Sequence, residues 1–456
     1  MSNLKTRLSQ LYNGVYYPIL VVLLVFVGHV TEFDIAFIAA ILITLIPGFF
    51  VCNSVRFATM PILSVAFTVA IKDYKPSDHG FEERFLNAGT LITGGITGAL
   101  LVFAIVYFLI KNRKSCNRLP RTGLWLGLAV FCGVMLTNGG FSQKYTPMNL
   151  LYAILISATI LGIYLLFAFY TKFDSGTVDY FMYCFVLAGL VISAELIYAY
   201  FTTVQFDANG VVKGSVVLGW GIWTAIGGML AFLMPACFYF AASHKHGWIA
   251  YLLGLLEFFC IVLSQSRAAL LFGAIALALC VGYLLFKGKN RKQNRIITLV
   301  LFVIGVIGVI ILKDKILTLF ENLKQYGTND NGRTEKWLIG WNHFLDYPIL
   351  GSGFYDSFDD SKNFQHAFDP YLYHNNLIQM LAAGGIIGLL AYLLHRVQTV
   401  ILLVRRPNTQ KYFIAAALIA FLGFNLLDVL FFKFYPGFFY ALMLLCAEHS
   451  EQKKTE

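Results

Sequence analysis

The chain contains few charged residues for its length. They make up 13% of its 456 residues, whereas soluble globular domains carry about 25%. The mean hydropathy is +0.71, and apolar stretches long enough to cross roughly 30 Å of hydrocarbon recur along the sequence. This composition excludes an ordinary soluble protein. It predicts an all-α, polytopic helical membrane protein with about 12 to 14 transmembrane helices.

The sequence also lacks paired cysteines. None of its eight cysteines belongs to a CxxC pair, so neither a zinc site nor a disulfide framework is indicated. Internal repeats are absent as well, and with them the two matching halves that are typical of many transporters.

Fourteen apolar segments are interpreted as membrane spans. They are residues 15–30, 35–53, 57–71, 89–110, 122–138, 148–170, 180–201, 216–242, 248–264, 268–286, 296–312, 376–404, 412–427 and 437–446. The third and the last are short enough to be tilted or re-entrant, so a count of twelve also fits. The chain therefore divides into an N-terminal part of the bundle (1–312), a long loop (313–375), and C-terminal helices with a short tail (376–456).

The distribution of Lys and Arg predicts the orientation. With the N-terminus inside, the inner loops hold 20 basic residues and the outer loops 13, of which six lie in the long loop. Basic residues favour the cytoplasmic side, and long loops carry little weight in that count. Both termini are therefore expected to be cytoplasmic and the long loop extracytoplasmic. The net charge of +10 reflects this topology rather than binding to nucleic acid.

Three short motifs then fall at the outer ends of spans. They are Ser266-Arg267-Ala268 in a tight turn, Arg333 with Trp337 in the long loop, and His374-Asn375 where that loop returns to the membrane. A charge kept near hydrocarbon is costly, which makes it a candidate for function. Two arginines and a histidine in this position suit chemistry on a lipid-linked phosphate.

The long loop is expected to carry regular structure. Residues 334–347 place five apolar side chains at helical spacing, which predicts an amphipathic helix whose aromatic face suits the headgroup zone. Pro348, Gly351 and Gly353 then predict a turn.

The order of these motifs resembles the O-antigen ligase and polymerase family. The resemblance extends from Arg267 to Gly385, with Pro348-x-x-Gly351-x-Gly353 and Gly384-Gly385 also in place. It implies a glycosyltransferase of the bacterial cytoplasmic (inner) membrane that needs no cofactor. The donor would be a glycan on undecaprenyl pyrophosphate, and the acceptor lipid A–core or another lipid-linked glycan, at the outer face. Ligase and polymerase stay open. The short tail, 448–456, argues against the protein-glycosylating branch of the family.

The resemblance also suggests a role for each residue. Arg267 and Arg333 are expected to bind the donor pyrophosphate, since guanidinium groups form bidentate contacts with phosphate. His374 is expected to act as the general base on the acceptor hydroxyl, or to orient it. Ser266 and Trp337 would support them, and Asn375 would cap the twelfth span and hold His374 in place. The alternatives are a snorkelling Arg267, an exposed loop charge at Arg333 and a headgroup-facing His374.

The sequence contains little evidence for a metal site formed by acidic residues or histidines. Asp359-Asp360 is the only adjacent acidic pair beside the motifs, and His343, His366 and His374 follow no common ligand spacing. We therefore expect metal-independent chemistry.

A second hypothesis is a transporter or a flippase for lipid-linked glycans. Glu195, Glu257 and Asp428 lie in or beside apolar spans, and a buried acid can relay protons. We expect structural roles for all three. An inactive scaffold is a third possibility, which the intact motifs weigh against.

Overall fold

The computed structural model describes residues 2–70, 87–143, 145, 147–207, 210–311, 332–354 and 372–450. Within these ranges the regular structure is helical, apart from one hairpin of β1 (Phe206–Asp207) and β2 (Gly210–Val211). The prediction of an all-α, polytopic membrane protein is confirmed.

The helices are α1 (Ser2–Asn13), α2 (Tyr16–Thr31), α3 (Asp34–Val51), α4 (Thr59–Ser64), α5 (Ala88–Asn112), α6 (Leu124–Met135), α7 (Pro147–Ser157), α8 (Ile163–Tyr170), α9 (Ser175–Thr202), α10 (Trp223–Leu233), α11 (Pro235–Ser243), α12 (Gly247–Leu263), α13 (Arg267–Phe286), α14 (Arg291–Ile311), α15 (Arg333–Asp346), α16 (Asn376–Val404), α17 (Thr409–Phe424) and α18 (Phe434–His449). A π-helical turn, Ala158–Gly162, joins α7 to α8.

Seven helical segments in the described ranges are long and apolar enough to cross a membrane. An eighth results if α1 and α2, which meet at an angle of 63°, form one span. The hydropathy pattern predicted more spans than this. Four further apolar segments form helices of only 10–17 residues, which are short for a membrane crossing. The predicted third span is one of them: α4 lies between two short 3₁₀ helices, Val55–Ala58 and Val65–Thr68.

The bundle has a buried centre and a lipid-facing periphery. The α10–α11 segment is 94% buried, whereas the segment that contains α5 is only 17% buried. A helix that is apolar on all sides suits the protein interior or lipid equally well, so contacts rather than composition separate the two. α13 packs against α10 and α17, and α16 packs against α6 and α15.

The helix α16 is broken in its first half by Gly385, which has φ 62° and ψ −161°. The turn after α15 fills the break. The amide of Ile386 donates to the carbonyl of Pro348 at 2.9 Å, and the amide of Gly353 donates to the carbonyl of Ala383 at 3.0 Å. Backbone groups freed at membrane depth must find such partners. The turn predicted at Gly351 is confirmed by its φ of +70°.

Candidate functional site

Three helices begin at the candidate site. Arg267 is the first residue of α13, Arg333 is the first residue of α15, and His374 lies two residues before α16. The first amides of a helix have no partner within it, and its N-terminus carries partial positive charge. Each helix start therefore brings a basic side chain together with a backbone that favours anions.

The helix starts are held by the residues that the sequence marked as supporting. The Ser266 hydroxyl accepts from the amide of Ala269 at 3.4 Å, and Ser266 is only 2% exposed. The Asn375 side chain accepts from the amide of Leu377 at 2.8 Å and donates to the carbonyl of Leu426 at 2.9 Å. The predicted capping role of Asn375 is confirmed. Its bond to Leu426 also ties the start of α16 to the segment that follows α17.

His374 lies between an acid and a base. Its Nδ1 is 3.1 Å from Oδ1 of Asp428, and its Nε2 is 3.0 Å from Nζ of Lys336. A carboxylate only accepts and an ammonium only donates, so these partners assign the proton to Nδ1 and leave the Nε2 lone pair as an acceptor. This is the tautomer of a general base whose orientation is held by a carboxylate. The backbone of His374 has φ 53°, a left-handed conformation that is uncommon outside glycine and asparagine.

Asp428 is buried but charged. Burial acts to raise the pKa of its carboxyl, but the hydrogen bond from His374, the amide of Val429 and the charge of Lys433 act in the opposite direction, and the pKa lies below its ordinary value. Oδ1 also accepts from the amide of Val429 at 2.8 Å, whereas the buried Oδ2 has no hydrogen-bond partner among the described residues. The carboxylate therefore serves to orient and stabilise His374.

Lys213 adds a further cation from a distant segment. It opens a 3₁₀ helix, Lys213–Ser215, and its Nζ lies 5.6 Å from the ring centre of Trp223. Burial lowers the pKa of Lys213, and the charges of Arg267 and Arg333 lower it further, while Asp428 acts in the opposite direction. The four basic residues Lys213, Arg267, Arg333 and Lys336 are called the cationic cluster below.

The helix α15 carries Arg333 and Lys336 of the cationic cluster and packs against α16. It coincides with the amphipathic helix predicted at 334–347 and leaves Leu338 and Trp341 exposed. On its opposite side, Nδ1 of the buried His343 lies 2.6 Å from the hydroxyl of Tyr373. His343 therefore locks α15 to the residue that precedes His374. Trp337 is half-buried, and its indole Nε1 has no hydrogen-bond partner in the described ranges.

Sequence reasoning missed Lys336 and Lys213, and it expected only a structural role for Asp428. Lys336 carried a signal, since it lies three residues after Arg333 and so on the same helix face. Lys213 carried none beyond its position in an outer loop. Asp359, Asp360 and His366 lie outside the described residues. Within the described part of the chain, no group of three or more His, Cys, Asp or Glu side chains could hold a metal.

The two other acids that the sequence analysis considered lie in the helix bundle. Glu195 accepts from the indole of Trp220 at 2.9 Å, and Glu257 accepts from the thiol of Cys237 at 3.3 Å. Both carboxylates are fully buried. Asp428 differs from them, because it bonds directly to a candidate site residue.

Residues 249–393 match the family model of the O-antigen ligases. The matched segment includes Arg267, Arg333 and His374, and it confirms the resemblance on which these residues were chosen. Lys213 and Asp428 lie outside it. No curated protein matches the chain. The match supports a glycosyltransferase-like enzyme of the O-antigen ligase type, and together with the apolar helices it suggests an inner-membrane protein.

Proposed function

We propose that this protein transfers a glycan from an undecaprenyl-pyrophosphate carrier to an acceptor at the outer face of the cytoplasmic membrane. The acceptor is lipid A–core for a ligase or a second lipid-linked glycan for a polymerase. The observation that carries the proposal is the cationic cluster beside the His374–Asp428 pair, at a point where three helices begin.

The charges suit a pyrophosphate. Arg267 and Arg333 offer planar donors that can contact two phosphate oxygens each, and Lys213 adds a third cation in partly buried surroundings. Positive groups that would repel one another in an empty site are stabilised when an anion joins them. The departing pyrophosphate gains charge, so the cluster binds the leaving group more tightly than the donor.

The transfer step follows from the tautomer of His374. The acceptor hydroxyl takes the place of Lys336 at Nε2, and its proton moves to that nitrogen. The acceptor oxygen then bonds to the anomeric carbon of the donor glycan, while the bond from that carbon to the pyrophosphate oxygen breaks. The electron pair leaves on undecaprenyl pyrophosphate, and the charged carboxylate of Asp428 stabilises the imidazolium.

Transfer in liposomes tests the proposal. The donor is an undecaprenyl-pyrophosphate-linked repeat unit, supplied with and without lipid A–core, and the proteins are the wild type, His374→Asn and His246→Asn. Asparagine tolerates the left-handed backbone at position 374, so His374→Asn removes the base without straining the chain. We expect it to lower the rate by about a thousandfold. The exposed His246 lies in a distant loop, and its variant should keep full activity.

The products separate the two branches. Laddered products from the donor alone indicate a polymerase, and a single added glycan that requires lipid A–core indicates a ligase. Absence of transfer by the wild type under both conditions, or transfer that His374→Asn leaves unchanged, contradicts the proposed function.

A further inference from the structure

A cavity of about 760 Å³ lies at the other end of the bundle from the candidate site. The helix α13 begins at Arg267 in the site and ends at Phe286, beside Lys287 in the cavity wall. Its 20 residues span roughly 30 Å. The helix α17 runs the opposite way, from Thr409 in the cavity wall to a point four residues before Asp428. The cavity is therefore at the headgroup level of the second leaflet.

The charged residues in the wall of the cavity are predominantly basic. Lys287, Lys289 and Arg406 line it, together with one acid, Asp179. The carboxylate of Asp179 accepts from the hydroxyl of Tyr239, and also from the side-chain amide of Gln410 at 3.3 Å. The lining cations outnumber this acid, so the surplus charge around the open space is positive and favours an anion.

The N-terminus of a helix also favours an anion in this cavity. Thr409 and Gln410, the first two residues of α17, line the cavity. The N-terminus of this 16-residue helix therefore faces the space with its partial positive charge, an arrangement that recurs in phosphate-binding sites.

The size and the remaining lining point to more than a phosphate ion. A volume of about 760 Å³ lies within the range of sites for small organic ligands. Ala242, Tyr283 and Pro407 give part of the wall an apolar character. Basic pockets at the ends of transmembrane helices suit lipid headgroups. We propose that this cavity binds the phosphodiester headgroup of an anionic phospholipid.

Native mass spectrometry of the full-length protein in detergent tests this assignment. Phosphatidylglycerol is the probe, phosphatidylcholine is the neutral comparison, and glycerol phosphate is the soluble competitor. The test variant is Lys287→Ala with Lys289→Ala, which removes two exposed charges from the wall. The matched control is Lys114→Ala with Arg118→Ala, which removes two exposed charges that do not line the cavity.

We expect the wild type and the control to retain phosphatidylglycerol in preference to phosphatidylcholine, and glycerol phosphate not to displace it. The test variant should bind phosphatidylglycerol about tenfold more weakly, since charge-assisted contacts are lost. Equal retention of both lipids by the wild type, or equal binding by test and control variants, would overturn the proposal. Displacement by glycerol phosphate would also overturn it, in favour of a soluble phosphate ligand. If the double variant fails to fold, Lys289→Glu should give the same loss of lipid.

Discussion

The two ends of the bundle are both basic, but they hold their charges in different ways. At the candidate site, Arg267 and Arg333 begin helices, and burial together with the charges of these two arginines lowers the pKa of Lys213. At the opposite end, Lys287 and Lys289 are exposed and surround an open cavity. The predicted inner loops have more basic residues, yet the predicted outer end has the more crowded cluster. The number of Lys and Arg residues in the loops thus indicates membrane topology. Like charges that lie close together, with perturbed pKa values, instead indicate a functional site.

Removing one guanidinium from each end should give the largest contrast. We expect Arg267→Gln or Arg333→Gln to reduce kcat/KM for glycan transfer by about a hundredfold, because each loses a bidentate contact to the leaving pyrophosphate. Arg406→Gln, at the cavity, should stay within about twofold of the wild type, a change of under 1 kcal/mol. Steady-state transfer rates measure both. Equal losses of kcat/KM in the site variants and in Arg406→Gln would contradict the proposed difference between the two ends.

The His374–Asp428 pair has no counterpart at the cavity end among the described residues, so Asp428→Asn tests what sets the site apart. We expect a tenfold to hundredfold slower transfer, roughly the effect of losing an outer-shell hydrogen bond. Because the pKa of Asp428 is lowered, its charge is present above the ordinary carboxyl pKa and is lost only as the pH falls through that lowered value. The loss in Asp428→Asn should therefore be fully present at neutral pH, where the wild-type carboxylate is charged. The exposed Asp207→Asn is the control, and an equal rate for Asp428→Asn and the wild type at neutral pH would count against the assignment.

The backbone near the site is more tightly constrained than the lipid-facing helices. A Cβ at Gly351 would lie 2.3 Å from the backbone of Ala383, and the residue has φ +70°. Gly351→Ala should therefore destabilise the protein by about 2 kcal/mol or more. Gly98 in α5 has no atom near its Cβ direction, so Gly98→Ala should be neutral or slightly stabilising. Thermal unfolding in detergent compares them, and equal melting temperatures would show that the break in α16 is not rigid.

The smallest expected effect concerns pH. The lowered pKa of Lys213 means that its charge, and the donor affinity it provides, is lost at a lower pH than the charge of an ordinary lysine as the pH rises. The donor KM of the wild type should rise by about threefold between pH 7 and 9.5, and Lys213→Arg should remove that rise, since Arg stays charged. Lys245→Arg, in an exposed loop, should behave as the wild type. A parallel rise in Lys213→Arg would assign the pH effect to another group.

Local patterns in the sequence predicted local structure well. Helical spacing at 334–347 anticipated α15, and the capping preference of asparagine anticipated Asn375 at the start of α16. The seven long apolar helices lie where spans were predicted, although the predicted count of about 12 to 14 exceeds the seven or eight in the described ranges. Composition does not report hydrogen-bond continuity, so it gave no sign that Gly385 breaks α16. It marked the third span as short, but it did not predict that α4 lies between two 3₁₀ helices.

The candidate site was predictable only where its residues carried a motif. Asp428 is 54 residues away from His374 in sequence, and Lys213 is 54 residues before Arg267. Their approach depends on how α17 and the hairpin of β1 and β2 return to the same end of the bundle. Such long-range contacts arise from packing between helices, and spacing along one sequence does not encode them.

The break in α16 also bears on how the protein is made. Its carbonyls at Ala382 and Ala383 and its amide at Ile386 need partners from residues 348–353. Synthesis proceeds from the N-terminus, so that turn leaves the ribosome before α16. The segment after α6, where the amide of Gly139 donates to the carbonyl of Leu350 in the turn, leaves earlier still. The order of the chain thus supplies each partner before the helix that requires it reaches the bilayer.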